Sequence, residues 1–151
     1  MANITHKIAT PASADAFFNA VSTLEGLRSW WTTDVSGDTA KDGVLEFRFG
    51  GGGPDMKVET LEDNRVVWRC LAGGEEWLDT TIEFRFEAEE NDLTALYFSH
   101  NGWKGETPFH FHCSMKWASF LMSLKEYVEL GAGRPFPDDT PIEAALIKSP
   151  A

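Results

Sequence analysis

Late in the chain, Cys113, Trp117, Phe120, Leu121, Leu124 and Val128 recur at i, i+4, i+7, i+8, i+11 and i+15, the spacing of one apolar stripe on a helix. Thr107-Pro108 supply a cap and first turn before it, and Gly131 stands where a helix-ending glycine belongs. A regular helix from Cys113 to Leu130 would be about 27 Å long. Each large side chain buried along it stabilises by about 1.5–3 kcal/mol, so the stripe needs a cover. The residues upstream provide one. Ile82, Phe84, Phe86 and Ala88 alternate with Thr81, Glu83, Arg85 and Glu87, and Leu45, Phe47 and Phe49 alternate with Glu46 and Arg48. Period two with one apolar phase describes strands that are dry on one face. A helix with one dry stripe and a sheet with one dry face cover each other. The expected fold class is therefore α+β, an antiparallel sheet holding a long C-terminal helix.

The remaining punctuation fits this plan. Ile4–Thr10 reads as an opening strand, ended by Pro11. Ser13 caps a short helix with Asp15 in its first turn, where the helix dipole favours an acid. Thr23 caps a second short helix that runs into Trp30-Trp31. Gly50–Gly53 with Pro54, Asp63-Asn64, Gly73-Gly74 and Glu89–Asp92 separate successive strands. Leu93–His100 forms the last strand, and both of its phases contain apolar residues, so periodicity leaves its inner face open. The tail from Arg134 carries Pro135, Pro137, Pro141 and Pro150 and reads as extended, with at most a short helix around Ile142–Ile147. The domain is expected to span residues 1–137, with 138–151 as a Pro-containing tail.

A chain of 151 residues is one domain by length and can bury a core without staples. Its net charge of −11, with no cluster of Lys and Arg, argues against nucleic acid and anionic membrane surfaces as partners. No run approaches 18 apolar residues, so no membrane insertion is expected. The first residues lack the apolar core of a secretory signal, and Cys70 and Cys113 are read as free thiols in a reducing, cytoplasmic setting.

Four segments carry a resemblance. They are Ser13–Val21 (SADAFFNAV), Gly26–Thr32 (GLRSWWT), Leu96–Trp103 (LYFSHNGW), and Trp117–Pro135, which ends in Gly131-Ala132-Gly133-Arg134-Pro135. They resemble the START-like (SRPBCC) superfamily with its helix-grip fold, and within it the homologues of the activator of the heat-shock-protein-90 ATPase. The resemblance covers about Ile4 to Pro137. It implies a curved antiparallel sheet wrapped around the C-terminal helix, two short helices after the first strand, and an apolar cavity between sheet and long helix. It also implies that Leu96, Phe98 and His100 face inward. The eukaryotic cochaperone that names the family has an additional N-terminal domain with no counterpart in these residues, so its activating role is not carried over.

On that basis the expected cavity lining is Phe47, Trp68, Phe84, Phe98, His100, Trp117, Phe120 and Leu121, and the expected ligand is small and apolar, lipid-like or aromatic. The bland alternative is that these side chains simply fill the core, since protein interiors are close-packed. A second alternative is a protein-interaction or chaperone-associated module, or a homodimer, displaying Trp30, Trp31, Trp77 and Trp103 near loops as contact surface. A third is an enzyme using His100 as acid or base with Glu76 or Asp79. Ser99 and His100 are neighbours on a strand and face opposite ways, so they form no nucleophilic pair. His110 and His112, two apart on a helix, point apart as metal ligands. The glycine run lacks the Lys-Ser or Lys-Thr of a phosphate loop. No catalytic residue, metal or cofactor is assigned.

Overall fold

The computed structural model describes residues 2–143. Strand β1 (Ala2–Thr10) is followed by helices α1 (Ala14–Ser22) and α2 (Leu24–Trp30). Six strands come next: β2 (Asp34–Gly37), β3 (Val44–Arg48), β4 (Asp55–Glu62), β5 (Arg65–Ala72), β6 (Thr81–Glu89) and β7 (Leu93–Trp103). Helix α3 (Pro108–Leu130) closes the order. The strands form one antiparallel sheet in the order β1-β7-β6-β5-β4-β3-β2. This is the helix-grip arrangement, with α3 lying across the sheet's apolar face.

The helix ends are set by the expected residues. Ser13 accepts a hydrogen bond from the Ala16 amide, and Thr23 accepts one from Gly26. Thr107 accepts from the His110 amide with Pro108 in the first turn, and Gly131 ends α3 at φ 84°, a left-handed conformation that glycine adopts without steric cost. The helix starts one and a half turns before Cys113, so His110 and His112 lie in its opening turns.

Curvature has a local cause. Pairing registers shift between Ala2 and Ile4, between Asp55 and Met56, and between Val58 and Thr60. Each such irregularity bends its strand and increases the local twist. The inner phase then turns toward α3. Ile82, Phe84 and Phe86 of β6 are buried, as are Leu96, Phe98 and His100 of β7, which resolves the phase of the last strand as the resemblance implied. Tyr97 points to the other face, where its hydroxyl donates to Glu89 at 2.8 Å and its ring lies between Lys7 and Arg85.

The described part of the tail is extended and tied down. The Phe136 amide donates to the Trp31 carbonyl at 2.8 Å, the Thr33 amide to the Phe136 carbonyl at 3.2 Å, and the Arg134 amide to Ser123 Oγ at 2.6 Å. The second glycine of the Gly-x-Gly-x-Pro segment has a packing reason. A Cβ at Gly133 would lie 2.7 Å from the Ser123 carbonyl and from the Ser29 carbonyl, so only glycine lets the chain leave α3 so close to α2. The short helix expected to run to Ile147 falls largely outside the described residues.

Candidate functional site

All eight expected lining residues are buried, and most meet one another directly. Phe47 of β3 contacts Trp68 of β5 at 5.4 Å between ring centroids, Trp68 meets Phe84 of β6 at 5.0 Å, and Phe84 meets Phe98 of β7 at 5.4 Å. Phe98 contacts Trp117 of α3 at 4.6 Å. Phe120 reaches Phe49 at 6.3 Å, and Leu121 is buried on the same helix. The dry sides of sheet and helix thus meet through a continuous layer of rings.

Trp31 lies within this layer, and the strand-and-helix reading missed it. Its ring sits 4.3 Å from Phe47, 4.9 Å from Trp117, 5.5 Å from Phe49 and 5.9 Å from Trp68. Trp30, Trp31, Trp77 and Trp103 are all buried, which corrects their expected role as exposed contact surface. The signal was in the sequence: Leu27, Trp30 and Trp31 stand at i, i+3 and i+4, the inner face of α2. Their nearness to loops hid that spacing.

Among the described residues these rings leave only a small space beside Trp117. A crevice lined by Trp31, Trp77, Cys113, Lys116, Trp117 and Phe120 has a cavity volume of about 10 Å³, about enough for a single water. A shallow depression of about 400 Å³ is bordered by Thr5, His6, Lys7, Glu83, Arg85, Tyr97, Phe98 and Ser99, a lining that mixes charged side chains with aromatic rings and is open to solvent, unlike the enclosed walls of most small-molecule pockets.

His100 is fully committed to structure. Trp117 Nε1 donates to His100 Nδ1 at 3.1 Å, so the imidazole proton is assigned to Nε2, which is 2.8 Å from Thr80 Oγ1. Thr80 Oγ1 in turn donates to the Trp77 carbonyl at 2.6 Å. Burial first, and His110 second, push the His100 pKa down to about 3, so the ring is neutral at ordinary pH. Neither carboxylate considered as its catalytic partner bonds to it. Glu76 accepts from Thr107 at 2.6 Å, and Asp79 offers its carbonyl to Arg69 at 3.1 Å. Both cysteines are buried, and burial raises the thiol of Cys70 to about 11 and that of Cys113 to about 12, which keeps them protonated and unreactive. Among the described residues no group of three or more His, Cys, Asp or Glu side chains is placed to hold a metal ion.

Lys116 was also missed. It lies three residues after Cys113 on the buried flank of α3, and its ammonium pairs with Asp139 and donates to the Thr140 carbonyl at 3.3 Å. His112, one turn earlier, pairs with Glu143. The described part of the tail therefore runs as a strap along one side of α3.

A family model described as "Activator of Hsp90 ATPase homolog 1-like protein" matches residues 11–129. The chain belongs to that family. Among solved structures it is similar to the Aha1 dimer from Colwellia psychrerythraea, determined in solution. That match has 42% identity and a TM-score of 0.80, and covers 88% of this chain and 100% of that one. A protein from Staphylococcus saprophyticus matches at 17% identity and TM-score 0.72, covering 89% of this chain and 97% of that one. CalU16 from Micromonospora echinospora matches at 20% identity and TM-score 0.75, covering 93% and 74%. These last two share the fold alone. No curated protein matches the chain. No helix among the described residues is long and apolar enough to cross a membrane.

Proposed function

We propose that this member of the family is a non-catalytic binding module that works through its outer surface and associates with a second copy of itself. The observation that carries this reading is the filled interior. Among the described residues the protein's own rings pack between helix and sheet, and the crevice beside Trp117 amounts to about 10 Å³, which supports an outer-surface role because pockets for small molecules typically enclose about 300–1,000 Å³. The relative from Colwellia psychrerythraea, 42% identical over its whole length, is described as a dimer, which supports a protein partner. The engagement of both His100 nitrogens and its burial-lowered pKa support a role without acid–base chemistry.

Binding of a small apolar ligand is the second reading, favoured by a specific feature. The crevice walls are apolar, and next to Trp77 the Trp103 indole nitrogen and both His110 ring nitrogens are buried without hydrogen-bond partners among the described residues. Such groups could orient a polar tip on an otherwise apolar ligand. Entry would require displacement of the Trp31 and Trp117 rings.

Native mass spectrometry of the protein purified from its expression host separates the two. The first reading expects a species of twice the 16.8 kDa chain mass with no added small molecule. A single chain carrying a reproducible extra mass of a few hundred daltons would overturn it in favour of the second.

A further inference from the structure

The outer face of α3 is apolar along a narrow line. Phe111, Met115 and Met122 are exposed at 55%, 58% and 52%, and Ala118 between them is partly exposed. Their spacing, 4-3-4, is that of a coiled-coil seam. The line has two banks. On one side α3 meets the edge strand β1, where His6 Nε2 lies 3.1 Å from the Ser114 carbonyl and Thr10 donates to Glu129 at 2.5 Å. On the other runs the strap, through the Glu143–His112 and Asp139–Lys116 pairs.

Charge singles out the occupant. The sequence contains 24 carboxylate side chains and a net charge of −11, so most faces of two copies repel. From Pro108 to Leu124 the helix contributes no carboxylate, and its one Lys, Lys116, is neutralised by Asp139. Two copies can therefore approach here without opposing like charges. The pattern is also self-complementary when reversed. Turned end for end about a point between Met115 and Ala118, Phe111 of one copy falls opposite Met122 of the other, and Met115 opposite Ala118. The small Ala118 beside the two-fold axis lets the backbones come close. Antiparallel order also brings the acidic C-terminal end of α3, with Glu126 and Glu129, toward the positive end of the other helix dipole, whereas parallel order sets like ends together.

We propose that the second copy docks through this seam, α3 against α3, antiparallel about a two-fold axis beside Ala118. This rests on the self-association reading above and supplies its interface. A single helix pair is small by the standard of stable interfaces, so the dimer is concentration-dependent.

Sedimentation equilibrium of the full chain from about 1 to 500 µM tests this, with Met115→Glu, Met122→Glu and, as a control exposed elsewhere, Leu71→Glu. Each seam substitution enters a symmetric interface twice and is expected to weaken the dimer about 100-fold or more, while Leu71→Glu leaves it unchanged. All these positions are exposed, and melting curves verify that each variant folds. Mild oxidation reads the orientation against Cys70 and Cys113, which are buried. Ala118→Cys is expected to cross-link, because the two positions are offset by only about 4–5 Å along the axis. Lys125→Cys is expected not to, because its copies lie about 25 Å apart along the axis. A wild type that is monomeric throughout overturns the self-association reading and the seam together. A dimer that survives both Glu substitutions overturns the seam and leaves self-association standing. Cross-linking through Lys125→Cys as fast as through Ala118→Cys overturns the antiparallel order.

Discussion

His100 lies in the core with a partner at each ring nitrogen. A lone histidine in an aromatic core invites an acid–base reading, but both its nitrogens are occupied and burial holds its pKa near 3 against 6.5 for the free group. In the unfolded chain the ring takes up a proton as pH falls through 6.5, while in the folded protein it does not until about 3. The unfolded state thus binds more protons in this window, and stability drops as pH is lowered through it. Between pH 6.5 and 4.5 His100 is expected to remove about 2–3 kcal/mol of stability. Urea unfolding followed by tryptophan fluorescence at pH 7.5 and 4.5 checks this. His100→Gln should show a correspondingly smaller loss between the two pH values, and an unchanged loss would refute the assignment. No periodicity could have shown that both nitrogens are engaged, because Thr80 and Trp117 come from positions 20 before and 17 after His100.

Among the elements, α3 and β6 were the most legible, because long runs of one period leave few alternatives and Thr107, Pro108 and Gly131 mark the helix ends unambiguously. The strap was not. A segment rich in proline has no period, and what fixes it is long-range: Phe136 against the Trp31 backbone, Arg134 against Ser123, Asp139 against Lys116. Charge burial is the physical content of that last contact. Lys116 and Asp139 are each only 9% exposed at the side chain, and removing one partner leaves the other charge desolvated. Asp139→Leu is expected to cost about 3–5 kcal/mol, and adding Lys116→Met should recover most of it, as read by urea midpoints. If the double variant is no more stable than the single, the pair is not coupled and the strap is held by its other contacts, at Phe136, Arg134 and Glu143.

For the molecule as a whole, volume is what the sequence withheld. The fold class, the grip of sheet on helix and all eight inward residues followed from pattern and resemblance. Whether those side chains enclose a hollow depends on where Trp31 and Trp77 point, which no spacing of the strands reveals. The same rings that would line a pocket fill it when α2 delivers one more indole. The proposed function therefore lies on the outside, at a seam lacking the charge that dominates the rest of the surface. Two chains of net charge −11 repel at long range, and salt screens that repulsion without touching an apolar contact. The dimer is therefore expected to tighten several-fold between low and physiological salt in sedimentation equilibrium. Weakening with salt would mean that ion pairs, and not the apolar seam, hold it.

The filled interior itself can be read from the six indole N–H signals in a proton–nitrogen correlation spectrum, titrated with a fatty acid and with a naphthalene-type aromatic probe. The expected result is that the Trp31, Trp77 and Trp117 signals stay fixed at all ratios. A saturable one-to-one shift of those three signals would show a pocket that opens on demand, and would return the ligand to the inside of the protein.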